Sequence, residues 1–142
     1  MNAMAEIKLY QGYPPSTGRI PKPATPVPPN IVSVKDGCPV KYPGCEGIGV
    51  RVVHPSNPAA PAQNFGQVVF FVPPHAVLQP GSHESEESYY ILRGRGVMTL
   101  AGKRVDVEPG MFVHLPPWCE HGIENTGDES LDVLITTSPP HP

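Results

Sequence analysis

Gln79-Pro-Gly-Ser-His-Glu-Ser-Glu-Glu-Ser-Tyr-Tyr-Ile-Leu-Arg-Gly94 decides how this chain is read. It sets one His, three Glu and two Tyr at the head of an apolar run that closes on a glycine. A counterpart follows, Gly110-Met-Phe-Val-His-Leu-Pro-Pro-Trp-Cys-Glu-His-Gly-Ile-Glu-Asn125, and brings another imidazole to the far side of a hairpin. Nitrogen and oxygen donors converging from separate strands suit a divalent transition metal. Period two places Glu87, Tyr89 and Ile91 on one strand face, with Tyr90 and Leu92 on the other. An inward carboxylate on an apolar strand needs a partner, such as a metal or a cation. Glu84 and Glu86 are expected in solvent.

Outward from these stretches the chain reads as short strands. They are expected at 31–34, 48–53, 67–72, 76–79, 88–93, 96–100, 104–107, 111–115, 119–124 and 130–137. Pro73-Pro74, Gly94-Arg-Gly96, Ala101-Gly-Lys103, Glu108-Pro-Gly110, Pro116-Pro117 and Asn125-Thr-Gly-Asp128 punctuate them. Residues 5–10 read as a strand or a frayed end, and 36–47 and 54–64 as loops. The 21 prolines and 14 glycines exclude long helices over most of the chain. Short strands at such spacing predict an all-β sandwich or barrel, and closing the sheet leaves an interior cavity. Pro14, Pro15, Pro21, Pro23, Pro26, Pro28 and Pro29 make residues 1–30 a Pro-rich N-terminal arm, read either as an extended surface segment or as a linker. The single domain then covers 31–137, and 138–142 form a short tail.

Composition narrows the function classes. A chain of 142 residues supports one domain with a real core. The net charge of −3 comes from scattered charges with no basic patch, which argues against nucleic acid as a partner. The apolar runs are too short for a membrane span. No secretory leader pattern opens the chain, so a cytoplasmic location is expected. Cys38, Cys45 and Cys119 are an odd, low count, which fits reduced thiols better than a disulfide framework.

The spacings in the two stretches resemble the two motifs of the cupin superfamily. His83 stands four residues before Glu87, and Glu87 is separated from Gly94 by six residues. Gly110, Pro116, His121 and Asn125 keep the spacings of the second motif, and the hairpins between also look similar. The resemblance covers about residues 68–137 and departs at two positions. Gly81 stands where the family's first His would fall, and Trp118 replaces a glycine of the second motif. It implies a jelly-roll β-barrel holding one divalent metal (Fe, Mn, Ni, Cu or Zn) through His83, Glu87 and His121. Gln79 can reach toward the space left at Gly81 with its carbonyl, or a water can take it. The resemblance also implies a homodimer that exchanges an N-terminal strand, a role the Pro-rich arm fits.

Two His and one carboxylate with open positions is the pattern of non-haem iron sites that activate oxygen and of some zinc sites. The expectation is a metal-dependent enzyme on a small-molecule substrate, leaning to a dioxygenase-type reaction, with His83, Glu87, His121 and Tyr89 as catalytic candidates. Phe, Tyr and Trp candidates for the pocket suit an aromatic or enolisable substrate. Three rivals stand beside it. One is a metal-assisted isomerase or lyase, and another a non-catalytic binding or sensing module. The third is a metal-free isomerase or cyclase using His83 or His121 as general base. Trp118 is read as a lid. Cys119 shares a face with His121 if 119–124 is extended, His114 can face either way, and His54 and His75 are read as ordinary loop residues. Arg51 is read as a surface residue with a second role open to it, binding a substrate carboxylate.

Overall fold

Alternation of apolar and polar side chains carries the sheet. The computed structural model describes residues 5–12, 14 and 20–141. Among the described residues there are ten strands: β1 (Cys38–Lys41), β2 (Ile48–Val53), β3 (Gly66–Val72), β4 (Val77–Gly81), β5 (Glu86–Arg93), β6 (Gly96–Leu100), β7 (Lys103–Val107), β8 (Phe112–Leu115), β9 (His121–Glu124) and β10 (Leu131–Ser138). The strands pair antiparallel into a six-stranded sheet, β1-β2-β3-β10-β5-β8, and a four-stranded sheet, β4-β9-β6-β7. The expected all-β jelly-roll architecture is the one observed.

The inner face of the large sheet is a set of rows across β3, β10 and β5. Phe70, Val133 and Ile91 form one row; Val68, Ile135 and Tyr89 form the next; Gly66, Thr137 and Glu87 form the last. Polarity therefore rises along the same face toward one end. The apolar rows are fully or nearly fully buried. Each large apolar side chain there contributes about 1.5–3 kcal/mol relative to exposure. In the small sheet, Leu78, Ile123 and Met98 are in register, and His121 lies between Gly81 and Leu100 at the polar end. Gly94 has φ 81°, and a Cβ there would collide with the Ser130 carbonyl oxygen. Only glycine fits that turn between β5 and β6.

Three elements differ from expectation. Residues 31–34 are not a strand. Val34–Asp36 form one turn of 3-10 helix instead, capped where the Ser33 backbone N–H donates to Asp36 Oδ2 at 2.8 Å. That local cap wins over the β-branched composition of the segment. The expected loop at 36–47 contains β1, although Pro39 lies within it. β1 is an edge strand, where a residue without an N–H breaks no ladder. Pro80 sits likewise in β4, an edge strand of the small sheet, and β4 extends two residues past its expected end.

Among the described residues of the N-terminal arm there is no strand, including 5–10. Ile7, Leu9, Ile20 and Val27 are exposed, so this part of the arm does not bury its apolar side chains on its own barrel. Residues 1–4, 13 and 15–19, hence Pro15, lie outside the described residues. The three cysteines are free thiols. No helix among the described residues is long and apolar enough to cross a membrane.

Candidate metal centre

The polar ends of the two sheets meet around three side chains. Glu87 comes from β5, with Thr137 of β10 on one side and Leu115 of β8 on the other. His121 opens β9 in the facing sheet. His83 sits in the connection between β4 and β5. Its carbonyl oxygen accepts the Trp118 backbone N–H at 2.8 Å, which ties the His83 loop to the loop entering β9. One donor atom from each of His83, Glu87 and His121 lies within 4.8 Å of the others.

Glu87 is 3% exposed, and its Oε1 is buried with no hydrogen-bond partner. His83 Nε2 and His121 Nε2 both face that oxygen, the second at 3.4 Å. A buried carboxylate oxygen without a donor costs on the order of 1–3 kcal/mol or more. A divalent cation between the oxygen and the two nitrogens removes that cost, and the N,N,O donor set is the one such cations take. The residues present therefore fit a metal. The far side of His121 is also arranged for it. Nδ1 donates to the Cys119 carbonyl at 2.9 Å, which fixes the tautomer and leaves Nε2 turned to Glu87. Burial lowers the His121 pKa, but the adjacent Glu87 carboxylate and the Cys119 carbonyl together outweigh it, and the net shift is upward.

The triad borders a cavity of about 220 Å³. Val68, Phe70, Leu78, Tyr89 and Ile135 give it an apolar floor, and Tyr42, Gln79, Gly81, Ser82 and Thr137 complete much of the wall. Among the described residues, no Lys or Arg lines it. Tyr89 packs edge-on against His121, with ring centres 5.6 Å apart. Burial first, then the Glu87 charge, pushes the Tyr89 phenol well above its ordinary pKa, so it stays protonated. Tyr42 is shifted the same way, chiefly by burial.

The four catalytic candidates expected from the sequence, His83, Glu87, His121 and Tyr89, thus share one space, and Gln79 lines it.

Other candidates fall elsewhere. Trp118 is 65% exposed and does not line the cavity; it acts through its backbone N–H rather than as a lid. Cys119 does not line the cavity either, because β9 begins at His121, two residues later than the extended segment expected at 119–124. His114 points outward and pairs with Glu86 at 2.6 Å, and His75 faces Asp128 at 3.4 Å in solvent. Arg51 is not among the cavity-lining residues. His54 is no ordinary loop residue. It is buried, and its Nδ1 accepts the Ser56 backbone N–H at 3.1 Å.

Tyr42 and His141 join the site without a clear mark in the sequence. Tyr42 follows the edge strand β1, whose Pro39 hides its alternation. His141 lies in the tail, and its ring centre is 5.7 Å from that of His83. A His directly after Pro139-Pro140 is the one available signal, since those prolines fix the path of the chain.

Residues 68–137 match the family described as Cupin domain. An uncharacterized protein of Methanocaldococcus jannaschii is 34% identical over 91 residues, covering 64% of this chain and 72% of that protein. The solved structure of the polyketide cyclase RemF from Streptomyces resistomycificus aligns with a TM-score of 0.67 at 23% identity, covering 76% of this chain and 78% of that one. A predicted oxalate decarboxylase from Thermotoga maritima aligns with a TM-score of 0.63 at 25% identity, over 76% of this chain and 97% of that one. These neighbours share the fold and differ in the activities their names carry.

Proposed function

The chain belongs to the cupin family, and from that premise we propose that it is a mononuclear metalloenzyme acting on a small organic molecule through a dioxygenase-type oxidation. His83, Glu87 and His121 are its ligands. The observation that carries this reading is the buried Glu87 Oε1, which has no hydrogen-bond partner and is faced by two imidazole nitrogens at the edge of a cavity. Three protein donors leave open positions for substrate and oxygen, as in sites that activate oxygen. A metal held here supplies Lewis acidity and, as iron, redox chemistry toward oxygen.

The chain's own residues set what can bind. The cavity is smaller than the roughly 300–1,000 Å³ of drug-sized ligand pockets. Its walls are aromatic and aliphatic and offer no cation, which favours a neutral or singly charged substrate of aromatic or enolisable type. Phe70 and Tyr89 offer ring faces and edges against which a planar substrate packs. The protonated Tyr89 hydroxyl is a donor to a substrate oxygen. Glu87 and His121 hold the charge and the lone pair that fix the donor set. A second reading, a metal-assisted isomerase or lyase, is favoured by the phenol of Tyr89 standing beside the triad, where it can hand a proton to a substrate enolate.

Loading the purified protein separately with Fe(II), Mn(II), Ni(II), Cu(II) and Zn(II), then following oxygen uptake with catechols and 1,3-dicarbonyl compounds, tests the two readings. Stoichiometric uptake in one loaded form, lost in Glu87→Ala, is expected. Turnover that continues without oxygen supports the isomerase or lyase instead. Failure to take up any metal, with the fold intact, refutes both.

A further inference from the structure

The position where an imidazole donor is missing from the barrel wall is Gly81, and it is open. Gly81 is in register with His121, so the two share a face of the small sheet, and a Cβ at 81 would meet nothing within 4 Å. The tail brings an imidazole beside His83 from outside the barrel. It is fastened at three points. The Ser138 hydroxyl donates to the Asn64 carbonyl at 2.9 Å, the buried Ser85 hydroxyl donates to the Pro139 carbonyl at 2.9 Å, and the His141 backbone N–H donates to Thr137 Oγ1 at 3.2 Å. Thr137 lines the cavity, and Ser85 lies two residues after His83. The result is a His141 ring 5.7 Å from the His83 ring, while the His121 ring is 5.2 Å from it on its other contact. Imidazoles that share one metal, each with a metal–nitrogen bond of about 2.0–2.1 Å, hold their ring centres roughly 4.5–5.3 Å apart, so the His141 ring needs to approach by about half an ångström.

We propose that His141 is the fourth protein ligand of this centre, supplied by the tail in place of the imidazole that Gly81 lacks. The inference rests on the metal reading of His83, Glu87 and His121. The His141 side chain is exposed, so its ring is free to turn about its two torsions beside His83. The tail then couples metal binding to its own order. A bound metal holds residues 138–141 over the mouth next to His83, and an unloaded site leaves that corner to the three hydrogen bonds alone.

Copper(II) loaded at one equivalent, read by electron paramagnetic resonance, counts the imidazole nitrogens, and zinc competition against a chromophoric chelator gives the affinity. The variants are His141→Ala, His121→Ala and the double variant Gly81→His/His141→Ala. Three nitrogens in the native protein, two in His141→Ala, and zinc binding weakened at least about tenfold by that change are expected. The double variant restores both the third nitrogen and the affinity. Since His141 is exposed, its variant keeps the thermal midpoint of the metal-free protein. An unchanged nitrogen count in His141→Ala overturns the proposal, whatever its affinity. If His121→Ala abolishes binding while His141→Ala has no effect, only the fourth ligand fails. If the native protein binds neither metal, the triad reading fails with it.

Discussion

Trp118 shows how one residue can depart from a motif without departing from its geometry. Its φ is 66°, in the left-handed region that glycine adopts without cost. The expected glycine is absent, yet the turn persists, because the Trp118 N–H is held on the His83 carbonyl. A left-handed non-glycine residue costs about 1–2 kcal/mol, against about 0.4–1 kcal/mol for the extra freedom glycine gives the unfolded chain. Trp118→Gly is therefore expected to stabilise the protein by about 0.5–1 kcal/mol, seen as a rise of a few degrees in the thermal midpoint. A fall would contradict the strain argument.

His54 makes a prediction of a different kind. Burial first, with the charges of Arg51 and His141, holds its pKa below the usual 6.5. Above about pH 7 both folded and unfolded chains carry it neutral. As pH falls through about 6.5, the unfolded chain takes up the proton first, so stability is lost on acidification until the lower folded pKa is passed. Urea unfolding at pH 7.5 and 5.5 is expected to show a larger loss for the native protein than for His54→Asn; equal losses would contradict it. At this scale, Glu87 was legible because a carboxylate breaks the apolar face of a strand. His54 was not, because its burial comes from how the 54–64 loop folds back.

At the scale of elements, Asn125 joins the sheets at their apolar end. It is fully buried, its side-chain amide donates to the Val72 and Glu129 carbonyls at 2.8 and 2.7 Å, and its oxygen accepts the Gly127 N–H at 2.9 Å. It serves the turn between β9 and β10 and the end of β3, not the metal. Asn125→Ala strands these buried groups and is expected to cost about 2–4 kcal/mol in urea unfolding, with metal affinity little changed. Near-native stability would show that water replaces the amide. The alternation in β3, β5 and β10 made the large sheet legible, since Glu87, Tyr89 and Ile91 share a face as expected. β1 and the prolonged β4 were hidden for one reason. Proline breaks a central strand but not an edge strand, and edge position is a property of the whole sheet.

At the scale of the whole molecule, the described residues of the arm leave apolar side chains uncovered. Ile7, Leu9, Ile20 and Val27 of the arm are apolar and exposed on the protomer, and β1 is an edge strand. We propose that the arm packs on a second copy of the chain. Removing residues 1–30 is then expected to shift light scattering from dimer to monomer; an unchanged dimer would refute the arm's part. The polar end of the barrel was legible as a ligand cluster from two spaced stretches. The tail's return to His83 was not, since it depends on hydrogen bonds with Asn64, Ser85 and Thr137 that no local pattern announces.

The most direct measurement is the metal content of native protein and of His121→Ala, both purified without chelators. One divalent transition metal per chain in the native protein, and loss of that metal in a variant that keeps its fold, is the expected result. A well-folded native protein free of transition metal, and unable to take it up on dialysis, would contradict it.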